Sequence, residues 1–226
     1  WTALTEGDAA ALVSYTLTAE DVAGPFVEIP DDMMVQSKQD ALGYENVTEA
    51  LGERFHASPA LLRSLNPDAE FTAGTRIVVP NVADAAPLAE PARVVVSKSD
   101  SVVRLVDAAG KVYAQFPAST GSEHDPLPVG EWKIEGVATD PTFHYNPDLF
   151  WDADPSHAKA VLPPGPNNPV GRVWIDLSKP HYGIHGTPEP ANIGKTQSHG
   201  CIRMTNWSAR RLAEVVKPGM AARLEE

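Results

Sequence analysis

From Arg93 onward the chain is cut into short apolar runs, and no other feature limits the fold as much. Arg93-Val94-Val95-Val96, Val102-Val103-Arg104-Leu105-Val106, Val112-Tyr113-Ala114-Gln115-Phe116, Gly130-Glu131-Trp132-Lys133-Ile134 and Val173-Trp174-Ile175-Asp176-Leu177 are each four or five residues long. A helix that buries one face needs about ten residues or more, whereas a strand needs roughly four to eight. Turn signals at Ser99-Asp100 and Ala109-Gly110 separate the first runs. Short runs at regular spacing predict a mainly β domain, built as a sandwich or barrel. Sixteen glycines and 21 prolines in 226 residues suit such a loop-rich β chain. The 42% of hydrophobic residues is enough for a packed core.

Two parts of this half depart from the strand pattern. Residues 138–171 are rich in Pro, Asn and Asp and show no period. A loop of that length in a compact domain is usually functional, so it is expected to form a lid or substrate wall. Within it, His144, Tyr145 and Trp151 are candidates to line a channel. Near the end, Asn206 is expected to cap a helix with Trp207, Leu212, Val215 and Val216 inward, closed by Lys217-Pro218-Gly219.

The first part of the chain differs in charge. Residues 1–91 hold 15 acids and 4 bases, net −11, while residues 92–226 hold 15 acids and 14 bases, net −1. This predicts two domains with a linker at 83–91, where alanines and prolines cluster. Residues 1–12 are expected to fray. Val13-Ser14-Tyr15-Thr16-Leu17 predicts a strand, and residues 18–40 predict turns around Pro25 and Pro30. Thr48 is expected to cap a helix carrying Ala50, Leu51, Arg54 and Phe55, and Ser58-Pro59 to start another carrying Leu61, Leu62 and Leu65. Asn66-Pro67 stops that helix, and Arg76-Ile77-Val78-Val79-Pro80 predicts a closing strand. The order is β-α-α-β.

The net charge of −12 argues against a nucleic-acid partner, which calls for a basic face. No apolar run approaches the roughly 18–20 residues of a membrane span. The chain opens on Trp1, so it is expected to be a mature form from which any signal peptide is gone.

Chemistry concentrates in two short segments. His181-Tyr182-Gly183-Ile184-His185-Gly186-Thr187 is followed by Ser198-His199-Gly200-Cys201-Ile202-Arg203-Met204. Cys201 is the chain's single cysteine. It is either a buried small hydrophobe or a reactive thiol. A thiol becomes a nucleophile when a base takes its proton, and histidine is the natural base. The second ring nitrogen of that base needs an orienting partner, and the Gly186 carbonyl is suitably unshielded. The N–H groups around His199-Gly200-Cys201 could hold an oxyanion if they converge in a turn. A zinc site built from His181, His185, His199 and Cys201 is the rival, but neither segment supplies an acidic residue to act as base.

Ile184-His185-Gly186-Thr187 together with Ser198-His199-Gly200-Cys201-Ile202-Arg203-Met204 resembles the L,D-transpeptidases, the YkuD-type catalytic domain. The likeness spans about residues 92–225 and includes the Val94-Val95-Val96 strand, the Gly110 turn, Pro128-Val129-Gly130 before Trp132, and Tyr182-Gly183. Leu127 stands before Pro128 where many members have threonine. The resemblance implies a β-sandwich-like catalytic domain over 92–226. It also implies a reaction in which Cys201 attacks the diaminopimelyl–D-Ala bond of a peptidoglycan tetrapeptide stem. A thioacyl-enzyme forms, and an amine resolves it into a 3→3 crosslink. On that mapping His185 is the base, oriented by the Gly186 carbonyl, and His199, Gly200 and Cys201 form the oxyanion hole. Ser198, Arg203 and Tyr182 shape the substrate site, with Arg203 able to clamp a stem carboxylate. No cofactor or metal is implied, and carbapenem-type β-lactams are expected to acylate the thiol.

Residues 1–82 are similar to the LysM module, a small glycan-binding domain, over Val47 to Pro80. Here the first strand lies about thirty residues from the first helix, farther than such modules usually place it. The expected partners are therefore stem peptides and glycan, and the expected location is a bacterial periplasm or wall, because peptidoglycan lies outside the cytoplasmic membrane. Two other functions stay open: a cysteine hydrolase or amidase on the same scaffold, and a wall-binding protein without catalysis.

Overall fold

The computed structural model describes residues 10–82 and 86–226. Most of the expected frayed start, and residues 83–85 of the expected linker, lie outside the described residues. Contacts divide the chain into two compact units, one of Trp1–Glu28 and Tyr44–Pro87, the other of Ile29–Gly43 and Leu88–Glu226. The sequence reading placed 29–43 with the first module; here that segment belongs to the second unit.

In the first unit, β1 (Leu12–Thr16) pairs antiparallel with β2 (Arg76–Pro80), Tyr15 facing Ile77. Between them in sequence lie α1 (Val47–Arg54) and α2 (Pro59–Leu65). Ser58 caps α2 by accepting the Leu61 N–H, with Pro59 at the first helical position. The cap of α1 is Asn46 rather than Thr48. Asn46 has extended backbone, and its Oδ1 accepts the Glu49 N–H at 3.0 Å. Thr48 is drawn into the first turn, where its hydroxyl donates to the same oxygen at 2.7 Å. Asn66 ends α2 and ties it to the sheet, accepting the Val78 N–H at 2.6 Å and donating to Val78 O at 2.8 Å. Leu17, Leu51, Phe55, Leu62, Ile77 and Val79 form the core. The stretch 18–40, expected to be irregular, holds a 3-10 turn at Glu20–Val22 and a short helix at Met33–Gln36.

The second unit contains β3 (Arg93–Ser97), β4 (Val102–Val106), β5 (Val112–Pro117), β6 (Gly130–Thr139), β7 (Phe143–Tyr145), β8 (Ala160–Leu162), β9 (Val173–Leu177), β10 (Gly183–His185), β11 (Ile202–Arg203), helix α3 (Asn206–Ala213) and β12 (Ala221–Glu225). Eight strands form one mixed sheet in the order β11-β10-β9-β6-β12-β3-β4-β5. The long strand β6 serves both halves. Its start pairs with β12 and its end with β9, with a register shift between Ile134 and Gly136. A strand that changes partner at a bulge lets a sheet turn a corner. One core then gathers Val94, Val96, Val103 and Leu105 from one half with Val173, Ile175, Leu177, Ile184 and Ile202 from the other, plus Ala209 and Leu212 of α3. The domain is mainly β, as the short runs predicted. Strand β12 was not foreseen: only Ala222 and Leu224 of Ala221-Ala222-Arg223-Leu224-Glu225 face inward.

Helix α3 is capped by Thr205, whose hydroxyl accepts the Ser208 N–H, and not by Asn206. Asn206 is the first helical residue. The loop 138–171 is more ordered than its composition suggested. Strands β7 and β8 pair antiparallel within it, and Tyr145 and Leu162 bury against Leu42. Leu42 comes from the 29–43 segment and is held by its N–H on Pro164 O at 2.9 Å and its O on Asn167 N–H at 3.0 Å. Among the described residues, no helix is long and apolar enough to cross a membrane.

Candidate active site

Strand alternation builds the site. In Val173-Trp174-Ile175-Asp176-Leu177 the odd positions are buried in the core, so Trp174 and Asp176 face the other way. Register carries this pattern across β10, where His185 lies opposite Trp174 and Gly183 opposite Asp176. Strand β11 pairs parallel with β10, Ile184 beside Ile202 and His185 beside Arg203. Ile184 and Ile202 point into the core. His185, Arg203 and, one position before Ile202, Cys201 therefore share the opposite face with Trp174 and Asp176. Cys201 and His185 sit two register positions apart on neighbouring strands, their Cα atoms roughly 8 Å apart at ideal strand spacing.

His185 is 6% exposed. Its Nδ1–H donates to Gly186 O at 2.7 Å, and its ring stacks on Trp174 with centroids 5.5 Å apart. Burial disfavours the imidazolium and lowers the pKa to about 4, although the Gly186 carbonyl pulls the other way. At neutral pH the ring is uncharged, with a lone pair on Nε2. Cys201 is also desolvated, and burial pushes its thiol up to about 11, while the Gly183 backbone and the charge of Arg203 oppose the shift. Its Sγ–H points at His181 O, 3.6 Å away. At rest the two side chains are thus a thiol and a neutral imidazole.

The residues around the thiol are held tightly. Gly200 has φ of 100°, and a Cβ there would meet the Tyr182 ring at 2.8 Å, so only glycine fits. Burial raises the Tyr182 pKa, with Cys201 and Asp125 adding to the effect. The Ser198 hydroxyl donates to Cys201 O, bracing the turn. Ser198 and Arg203 are tied to the strand edge by bridges to Gly121 and Ser119. Arg203 donates from a terminal nitrogen to Gln197 O, while its buried Nε has no hydrogen-bond partner among the described residues. The His199 ring turns toward the loop 138–171: Nε2 meets Asp152 Oδ1 at 2.9 Å, and Phe150 packs edge-on at 5.3 Å.

Of the residues singled out from sequence, Cys201, His185, Gly186, Gly200, Ser198, Arg203 and Tyr182 come together. Trp151 lies at the rim, donating to Asp125 Oδ2 at 2.9 Å, with His199 beside it. Tyr145 is a core residue of the loop 138–171, and His144 is exposed beside Thr142. His181 contributes its carbonyl rather than its ring. Sequence reasoning missed Trp174, Asp176, Phe150 and Asp152 as site neighbours. For Trp174 and Asp176 the signal was present, since a polar residue and a large aromatic at alternate positions of an otherwise apolar strand must share the non-core face.

Comparison with known proteins identifies the family. The family model of the YkuD L,D-transpeptidase catalytic domain matches residues 91–223. The YkuD protein of Bacillus subtilis (strain 168), whose name assigns it to the L,D-transpeptidases, is 34% identical over 167 residues, covering 73% of this chain and 85% of its own. Its namesake in Bacillus licheniformis is 30% identical over 174 residues, covering 76% and 88%. Among solved structures, L,D-transpeptidase 3 from Mycobacterium tuberculosis in complex with a faropenem-derived adduct aligns over 70% of this chain and 76% of its own, at 18% identity and a TM-score of 0.48. Nearly the whole of the sheet that carries Cys201 and His185 falls inside the matched region, and the chain belongs to the L,D-transpeptidase family.

Proposed function

We propose that Cys201 is the nucleophile and His185 its general base in acyl transfer from a peptidoglycan tetrapeptide stem. The observation that carries this reading is a buried, neutral His185 whose Nδ1–H is committed to Gly186 O, on the same sheet face as the lone thiol. That hydrogen bond leaves Nε2 as the basic nitrogen. As Sγ bonds to the carbonyl carbon of the diaminopimelyl–D-Ala link, the thiol proton passes to His185. The imidazolium then gives it to the departing D-Ala nitrogen. The carbonyl oxygen, now negative, is met by the N–H groups of the His199-Gly200-Cys201 turn, each worth about 2.7–4 kcal/mol of transition-state stabilisation. An incoming amine loses its proton to His185, attacks the thioester and releases the thiol, leaving a 3→3 crosslink. The unpartnered Nε–H of Arg203 suits a stem carboxylate.

Intact mass after incubation with a disaccharide-tetrapeptide tests the reading. A thioacyl adduct should form with loss of D-Ala, and the Cys201→Ala variant should show none. Adduct on that variant would remove Cys201 as nucleophile. Release of the adduct by water alone, with amine acceptors ignored, would favour the hydrolase reading. Carbapenem-type β-lactams, which present an acyl group to the same sulfur, should block the adduct.

The first unit supplies glycan binding in this proposal, supported by its β-α-α-β order and its own core. Titration with N-acetylglucosamine oligomers should move amide resonances within residues 10–28 and 44–82. Shifts confined to residues 88–226 would sink that part. On this reading the chain acts in a bacterial periplasm or wall, where peptidoglycan lies.

A further inference from the structure

The reaction above gives no role to the Asn206 side chain, which is buried beside it. Asn206 is 1% exposed. Thr205, not Asn206, caps the helix. Its Oδ1 accepts the N–H groups of Arg172 and Thr187, each at 3.1 Å, and its Nδ2 donates to Pro166 O at 3.2 Å. The bond to Thr187 is the informative one. The Thr187 N–H and the Gly186 C=O belong to the same peptide group, which is planar and turns as a unit. That carbonyl is the acceptor of His185 Nδ1–H at 2.7 Å. One amide is therefore gripped at both ends, by the imidazole at its oxygen and by Asn206 at its nitrogen.

We propose that Asn206 is a positioning residue that locks the Gly186–Thr187 peptide plane and, through it, the tautomer and aim of His185. An N–H that donates also polarises its amide, which strengthens the carbonyl as an acceptor. The close approach is built into the sequence: a Cβ at Gly171 or Gly186 would lie 2.0 or 2.1 Å from Asn206 Oδ1. Side chains at either position would push the amide off its target. The inference rests on His185 as the base of Cys201, and its test separates the two.

Nitrogen NMR of the His185 ring in the full chain reads the tautomer without turnover. Wild type should show a protonated Nδ1 and a bare Nε2. Asn206→Ala, shown to be folded by near-UV circular dichroism, should show a mixture of tautomers. Its acylation by the tetrapeptide donor should be slower by about 10–100-fold, the usual cost of losing an outer-shell partner. Asn206→Asp keeps an acceptor for both N–H groups and should hold the single tautomer and stay within about threefold of wild type, on the same footing. A folded Asn206→Ala protein with the wild-type tautomer and rate would overturn the proposal. So would a folded Asn206→Asp protein with scrambled tautomers, and that variant decides the matter if the alanine form does not fold. Undiminished acylation in His185→Ala would instead defeat the base assignment and leave the tautomer result standing.

Discussion

The two faces of the β9-β10-β11 corner are made from the same strands yet follow opposite rules. One face is aliphatic: Val173, Ile175, Leu177, Ile184 and Ile202 are all at most 2% exposed. The other carries Trp174, Asp176, His185, Cys201 and Arg203. On the second only His185 is buried and the other four are half-buried; burial stabilises the fold on the first face and changes proton affinities on the second. Period-two alternation means that each chemical side chain has at least one chain neighbour anchored in the core. Precision on the reactive face is thus borrowed from packing on the inert one.

Substitutions can separate the two faces. His185→Ala should leave the fold intact and slow acylation of Cys201 by about 10²–10⁴-fold, the usual span for loss of a general base. Donor-only acylation followed by mass spectrometry measures it, and a loss below about tenfold would give the proton to another group. Ile202→Ala is the counterpart on the core face. It should cost about 2–5 kcal/mol of stability, read by denaturant melting, with near-normal acylation in the fraction that stays folded. A folded Ile202→Ala protein without activity would show that the faces are not separable. The smallest effect is in pH. Because the folded pKa of His185 is about 4 and the ordinary value is 6.5, the unfolded chain binds more protons between those limits. Stability should rise with pH across that window and be lost on acidification, by about 3 kcal/mol for this group. His185→Gln should lack that part of the slope. Parallel stability curves for variant and wild type would mean the ring is not desolvated.

Much of this was legible in the sequence, for physical reasons that differ by element. The five apolar runs after Arg93 became strands because short alternating runs have few other ways to bury themselves. Ser58-Pro59 and Asn66-Pro67 bounded α2 because proline leaves the backbone little choice. The Cys201 and His185 motifs were plain from residue type and spacing. Strand β12 was hidden because it sits mid-sheet with only two apolar side chains turned inward, and its neighbours, not its own pattern, decide its state. The caps at Thr48 and Asn206 were each misplaced, by two residues and by one. Competing cap formers stand close together there, and backbone angles choose between them. Membership of 29–43 in the second unit could not be read locally, since Met33, Met34 and Leu42 show their purpose only against Tyr145 and Leu162.

That last segment has a consequence for inheritance. Because the polypeptide enters the second unit at Ile29, leaves it after Gly43 and returns at Leu88, it passes between the units three times. A single recombination event, which cuts a gene once, would strip the loop under β7 and β8 of Leu42 and leave a hole where that side chain was fully enclosed. The two halves of this protein are interlaced by connectivity, so swapping one for a foreign module requires rewriting both.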